Sequence, residues 1–168
     1  MEDEEGNLMP RFDRPLITEK VIVKVKKKFL WLIPYDSTYH YWVLHQAFRY
    51  YDDNGNWIEV PEGTPTDFAS TPQFVWVLMP KDGIWDQSAA LHDYLYQNRG
   101  NLPDGEWGGK KTYTRGECDK VFYDGNKVLG VKEVQNLPAY EALVAFGWYA
   151  WKFGKPIDRE RFEKRTSI

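Results

Sequence analysis

The front half of the chain alternates apolar and polar positions with a period of two. Valines alternate with lysines over residues 21–25, and a continuous apolar run follows at 29–33. This alternation is typical of a β-strand, so we predict a first strand region over residues 18–33. Pro34 and the Asp36-Ser37 pair predict a break after it.

A second β region is predicted over residues 39–51, which are rich in aromatic side chains. Residues 52–56 read Asp-Asp-Asn-Gly-Asn and predict a hairpin turn, because Asn-Gly readily adopts positive φ. Residues 57–60 then return as a strand that ends at Pro61-Glu62-Gly63. The front half is therefore predicted to form a small antiparallel sheet.

The back half changes to helical periodicity and helix-capping signals. We predict one helix from about Asp86 to Asn98, a second from about Thr114 to Leu129, and a third from near Pro138 to just before Gly154. A short helical turn at 74–78 precedes them, and a loop rich in Gly and Asn at 99–111 separates the first two. The predicted fold class is α+β, with a small antiparallel β-sheet as N-terminal half and three helices as C-terminal half.

The length of 168 residues suits a single domain. Residues 1–14 are acidic and aperiodic, which predicts a flexible arm, and residues 156–168 form a highly charged tail. The domain is expected to span 15–155. Aromatic residues make up 17% of the chain, so a few large rings can provide most of the core.

Charge and cysteine content limit the class of protein. The net charge of −3 argues against nucleic acid as a partner, and the lysine run at 24–28 is interpreted as the solvated face of a strand. The lone Cys118 permits no intramolecular disulfide. With no signal peptide and no apolar run long enough for a membrane span, we expect synthesis in a reducing cytoplasm.

The candidate chemistry centres on His92 and Asp93 in the first predicted helix. Helical spacing puts both on one face with Tyr96, an unusual composition for a core stripe. The second helix offers Asp119 with Arg115 on the same face. If the two helices pack antiparallel, Asp119 can approach His92, fix its tautomer and raise its basicity.

A segment rich in oxygen ligands lies between the sheet and the helices. Thr66, Asp67 and Ser70 fall within a few residues of one another, and loops on a rigid scaffold commonly carry functional side chains. Together with Asp93 they favour Ca²⁺ or another hard divalent cation. Zinc is the less favoured alternative because catalytic zinc sites usually draw on more histidines.

Most of the chain, from about residue 12 to 151, resembles a family of uncharacterised proteins of tailed phages and prophages. The resemblance is carried by three motifs in order: Thr66-Asp67-Phe68-Ala69-Ser70-Thr71-Pro72, then Ala89-Ala90-Leu91-His92-Asp93-Tyr94-Leu95-Tyr96, then Arg115 with Cys118-Asp119-Lys120-Val121-Phe122. It implies a phage gene product made in the host cytoplasm, with other phage or virion proteins as partners.

A narrower resemblance concerns the helix pair alone. The pattern His92-Asp93-x-x-Tyr96 with a following Asp119 is similar to calcium-dependent secreted phospholipases and to the phospholipase domain of parvovirus capsids. The resemblance implies that His92 activates water, Asp119 orients it, Tyr96 supports the network and Asp93 binds calcium. The segment ahead of the helix, residues 80–85, has a single glycine where those enzymes have a glycine-rich calcium loop.

Two functions follow from these observations. The first is a phage-encoded hydrolase of the host envelope, acting on phospholipid or peptidoglycan. Its catalytic residues would be His92, Asp119 and Tyr96, its metal ligands Asp93 and Asp67, and its supporting residues Ser70, Thr66 and Arg115. The second is a non-enzymatic tail or head subunit, incorporated in the virion, in which the His-Asp cluster is a structural lock between helices.

Overall fold

The computed structural model describes residues 8–29, 33–66 and 83–154, with the backbone alone for the described residues between 22 and 41. Its strands are β1 (Arg11–Phe12), β2 (Thr18–Phe29), β3 (Ile33–Leu44), β4 (Phe48–Tyr51), β5 (Trp57–Val60), β6 (Pro65–Thr66) and β7 (Trp107–Gly108). Its helices are α1 (Asp86–Gln97), α2 (Arg115–Val128) and α3 (Glu133–Phe153). Strands precede helices except for β7, so the predicted α+β class agrees with the structure.

The described strands form two sheets, and every pairing between them is antiparallel. The four-stranded sheet has the order β1-β4-β5-β7, and the three-stranded sheet has the order β2-β3-β6. The predicted hairpin turn at 52–56 joins β4 to β5, with Tyr51 opposite Trp57. Strand β1 pairs Arg11 with Tyr51, so residues 11–12 of the predicted arm belong to the sheet.

The predicted break after residue 33 is wrong. Phe29 pairs with Ile33, and Pro34, Asp36 and Ser37 all lie inside β3 opposite β2. A proline lacks the N–H that a strand interior needs, but it is tolerated where one edge of its strand faces no neighbour. Only residues 42–43 of β3 pair with a further strand, β6, in the described chain.

The second β region is two strands, because β3 ends at Leu44 and β4 begins at Phe48. Between them the chain changes sheets: the Leu44 N–H donates to Thr64 O, and the His45 N–H donates to Ile17 O. The short helical turn predicted at 74–78 lies outside the described residues.

Helices α1 and α2 agree with their predicted bounds to within one residue. Thr114 caps α2: its hydroxyl accepts from the Glu117 N–H, and the Glu117 side chain accepts from the Thr114 N–H. This reciprocal capping box satisfies donors that the first helical turn leaves unpaired.

Helix α3 begins at Glu133, five residues earlier than predicted from Pro138. The extra turn is held to α2 by buried amides. Asn126 Nδ2 donates to Asn136 Oδ1, and Asn136 Nδ2 donates to Tyr123 O. The sequence analysis placed the start near Pro138 because proline is common in the first turn of a helix. The hydrogen bonds of Asn136 to α2 stabilise one further turn before it.

Helix α1 is the centre of the molecule. Every residue from 90 to 96 is buried, because α1 contacts β5, β6 and α2. A helix that is buried all round has no solvent face to accept polar side chains. Its polar residues must therefore find partners inside the protein. No helix in the described part of the chain is long and apolar enough to cross a membrane.

Candidate functional site

The site lies between α1 and α2, which run antiparallel. Along this contact, Tyr96 lies against Asp119, His92 against Phe122, and Ser88 close to Gly125. The packing therefore brings together the two helix faces as the sequence predicted. His92 Nε2 lies 3.1 Å from Asp119 Oδ1, and the side chains are 1% and 0% exposed.

Asp119 is the hub of a buried hydrogen-bond network. Its Oδ1 accepts from Tyr96 OH at 2.5 Å as well as contacting His92, and its Oδ2 accepts from Arg115 Nη1 at 2.9 Å. A carboxylate paired with a guanidinium accepts hydrogen bonds and donates none. The geometry therefore puts the imidazole proton on Nε2 of His92.

The other ring nitrogen of His92, Nδ1, has no hydrogen-bond partner among the described residues. With its proton on Nε2, the ring presents the Nδ1 lone pair as its acceptor. A histidine held in one tautomer by a carboxylate is the arrangement that general bases use. The contact with Asp119 can therefore hold Nδ1 of His92, the proton acceptor, in a fixed orientation.

Arg115 connects this network to the third helix. Besides Asp119, its guanidinium donates to Leu143 O at 3.2 Å and to Val144 O at 3.2 Å. These carbonyls lie within α3, so the arginine ties α2 and α3 together while its charge balances Asp119. Helix α3 also lies close to Tyr96 of α1. This approach requires glycine at position 147, because an added Cβ there would lie 2.6 Å from Tyr96 OH.

Aromatic rings enclose the polar cluster. The His92 ring centroid lies 4.1 Å from that of Tyr96 and 5.5 Å from that of Phe122. On its far side, Tyr96 meets Trp151 edge-on at 5.0 Å. These rings exclude bulk water from the Asp119 carboxylate, which strengthens each of its hydrogen bonds.

Burial sets the ionisation of two neighbouring groups. It raises the pKa of Tyr96, and the nearby Asp119 charge adds to that effect. The phenol therefore remains a hydrogen-bond donor at ordinary pH. Burial, with a further contribution from Asp119, raises the pKa of Cys118 to about 12. A thiol in that state is a poor nucleophile.

Asp93 is buried on a different side of α1 from the His92 network. Its Oδ2 accepts from Thr66 Oγ1 of β6 at 2.5 Å, and both residues are almost fully buried. This bond joins the three-stranded sheet to the central helix. The sequence analysis grouped His92 and Asp93 in one cluster. In the structure, His92 contacts the Asp119 carboxylate, whereas the Asp93 carboxylate accepts from Thr66.

The predicted metal site is only partly within the described residues. Asp67 and Ser70 lie outside them, and within them no group of three or more His, Cys, Asp or Glu side chains is arranged to hold a metal ion. Asp93 and Thr66 are hydrogen-bonded to each other, and calcium would need six or more oxygen ligands. The divalent cation therefore stays a prediction.

Some residues of the site were not singled out from the sequence. Phe122 was named only as the last residue of the third motif, and Gly147 and the two α3 carbonyls were not named at all. The glycine was detectable in principle, since an isolated glycine inside a helical pattern often marks a close packing contact. The carbonyl acceptors have no sequence signal, because every residue has one.

Residues 42–143 match the family described as "Protein of unknown function (DUF1353)". The chain belongs to that family. The matched residues run from the end of β3 into α3 and include these members of the two polar clusters: Thr66, His92, Asp93, Tyr96, Arg115 and Asp119.

Among curated proteins, the chain is similar to the "Uncharacterized protein y4jT" of Sinorhizobium fredii (strain NBRC 101917 / NGR234). The two are 28% identical over 106 residues. These residues are 62% of this chain but only 28% of that protein. No solved structure matches the chain.

Proposed function

We propose that the chain is a phage-encoded hydrolase of the host envelope, in which His92 activates a water molecule. The observation that carries the proposal is the bond between His92 Nε2 and the buried Asp119 carboxylate. It orients the ring, selects its tautomer and leaves Nδ1 as the proton acceptor. The substrate class, phospholipid or peptidoglycan, follows from the resemblances to phage proteins and phospholipases.

In the proposed reaction, Nδ1 of His92 takes a proton from water as the oxygen attacks a carbonyl or phosphoryl centre. The ring then carries a positive charge, which the Asp119 carboxylate stabilises across 3.1 Å. Arg115 and Tyr96 are positioning residues, because both hold Asp119 and neither contacts His92 by a hydrogen bond. The proton returns from Nδ1 to the leaving group.

The test compares wild type with His92→Ala on mixed phospholipid vesicles and on peptidoglycan, each with calcium and with chelator. We expect turnover in wild type that falls by at least about a hundredfold in a folded His92→Ala protein, the loss typical of a missing general base. His45→Ala is the matched control, since the side chain of that histidine is exposed and, among the described residues, pairs only with Glu19.

A second candidate is a non-enzymatic virion subunit in which the cluster is a structural lock. It is favoured by the near-complete burial of His92 and by the exposed apolar surface of α3. Trp148, Tyr149 and Phe153 form a cluster of rings there, each more than half exposed. Large exposed apolar surfaces commonly mark sites of protein association.

The same experiment separates the two candidates. No turnover on either substrate, with a large drop in melting temperature for His92→Ala, would support the structural lock and remove the hydrolase. Breaking a buried hydrogen-bonded pair in that reading costs roughly 1–3 kcal/mol or more of unfolding free energy.

A further inference from the structure

Helix α3 has a buried inner side and an apolar outer side. Its inner side includes Ala139, Leu143 and Gly147, which are buried. Its outer side carries exposed apolar residues: Val134, Leu137, Val144, Trp148 and Tyr149. These positions recur at intervals of three and four, the spacing with which one helix packs along another. We call this side the outer face of α3.

The outer face also carries one acid and one base. Glu141 and Lys152 are both exposed. The interval from 141 to 152 is about three full helical turns, so the two side chains lie on the same side of the helix. The face thus has a negative charge near its middle and a positive charge near its C-terminal end.

This charge pattern is complementary to itself. A second copy of α3 that runs antiparallel, with a two-fold axis between positions 146 and 147, puts Glu141 opposite Lys152 of the second copy. Two-fold symmetry repeats the contact, so Lys152 also lies opposite Glu141 of the second copy. One register therefore forms two ion pairs from a single pair of residues.

The same register matches the apolar residues by size. It puts Ala145, which is small and exposed, opposite Trp148 of the second copy. It also puts Val144 opposite Tyr149 of the second copy. Helices pack closely when large side chains face small ones. Trp148 and Tyr149 are 52% and 64% exposed, so each has much apolar surface to bury in such a contact.

Other occupants of the outer face fit the charges less well. An anionic lipid surface would attract Lys152 but repel Glu141 near the middle of the face. Nucleic acid would meet the same repulsion. A parallel copy in register would put Glu141 opposite Glu141, which is also unfavourable. An antiparallel second copy pairs both charges.

We propose that the chain forms a two-fold symmetric dimer in which the outer faces of α3 pack antiparallel. Contact along about three helical turns makes a small interface, so we expect association in the micromolar range. The inner side of α3 keeps its bonds to Arg115. The dimer therefore does not depend on whether His92 is catalytic.

The first test is sedimentation equilibrium of the full chain over micromolar to submillimolar concentrations. We expect a monomer–dimer equilibrium in wild type and monomer alone for Trp148→Glu, which puts a charge into the apolar face. Val128→Glu is the matched control, because Val128 is also exposed but belongs to the last turn of α2. It should dimerise like wild type. Circular dichroism of each variant confirms that it is folded.

The second test is a charge exchange that identifies the register. Glu141→Lys and Lys152→Glu should each weaken dimerisation by about tenfold, because symmetry turns two attractive pairs into two repulsive ones. The two changes combined should restore the affinity to within about threefold of wild type. Lys132→Glu is the charge control, since that exposed lysine precedes the first turn of α3.

Three results would overturn the proposal. The first is a monomer at every concentration, in which case another segment or another molecule covers the face. The second is dimerisation of Trp148→Glu as strong as that of wild type. The third is a doubly exchanged variant that associates no more tightly than the single ones. Co-sedimentation of a monomer with vesicles of phosphatidylcholine and phosphatidylglycerol, lost in Trp148→Glu, would instead assign the face to a lipid surface.

Discussion

At the scale of single residues, Asp119 is the side chain that connects His92, Tyr96 and Arg115. It accepts from Tyr96 and Arg115 and contacts His92, while being fully buried. A buried carboxylate is stable only if its lone pairs are satisfied and its charge is balanced. Each of its partners should therefore contribute measurably to stability.

We expect Tyr96→Phe to lower the free energy of unfolding by about 1.5–3 kcal/mol, the range for a hydrogen bond to a charged group. Chemical denaturation measures it. Tyr123→Phe is the matched control, because that phenol donates to Glu133 at the surface. The control should change stability by less than about 0.5 kcal/mol. Equal effects of the two changes would argue against a special role for the buried network.

At the scale of elements, α3 decides how closely the helices meet. The Asn126–Asn136 bond fixes its first turn to α2, and Arg115 fixes its middle through the Leu143 and Val144 carbonyls. Gly147 lets its backbone approach the Tyr96 hydroxyl. The position of α3 thus depends on polar contacts and one small residue more than on an apolar stripe.

Gly147→Ala tests that packing. The new Cβ would lie 2.6 Å from Tyr96 OH, and we expect overpacking to cost about 1–3 kcal/mol of unfolding free energy. Gly116→Ala in α2 is the matched control, because nothing lies within 4 Å of its added Cβ. That change should be neutral or stabilising by up to about 1 kcal/mol, since alanine favours helix. Melting temperatures of the two variants should therefore move apart.

At the scale of the whole molecule, a core rich in tyrosine links stability to alkaline pH. Burial raises the pKa of Tyr50, Tyr96 and Tyr113 above their ordinary value of 10. Above pH 10 the unfolded chain loses these protons while the folded chain keeps them. Unfolding then becomes progressively more favourable.

We therefore expect the free energy of unfolding to be insensitive to these groups below pH 10 and to fall as pH rises above it. Denaturation at stepped pH, followed by tyrosinate absorbance, measures both the fall and its cause. The slope above pH 10 should be smaller in Tyr96→Phe than in wild type. An unchanged slope would assign the alkaline transition to other groups.

The sequence by itself determined the features that depend on local signals. Alternation of valine and lysine predicted strand β2, Asn-Gly predicted the turn between β4 and β5, and the Thr114 cap marked the start of α2. Helical spacing also put His92 and Asp119 on faces that could meet. These signals depend on residues close together in sequence, so they can be recognised without knowing the fold.

Other features were decided only by the tertiary structure, because they depend on which elements pack against each other. Pro34 lies within β3, which at this position pairs only with β2 among the described strands. Helix α3 begins early because Asn136 donates a hydrogen bond to α2. Asp93 accepts a hydrogen bond from Thr66 of β6, because α1 is buried and its polar groups need partners inside the protein. The early start of α3 and the burial of Asp93 depend on partners in other elements, and such tertiary contacts can override the local preference.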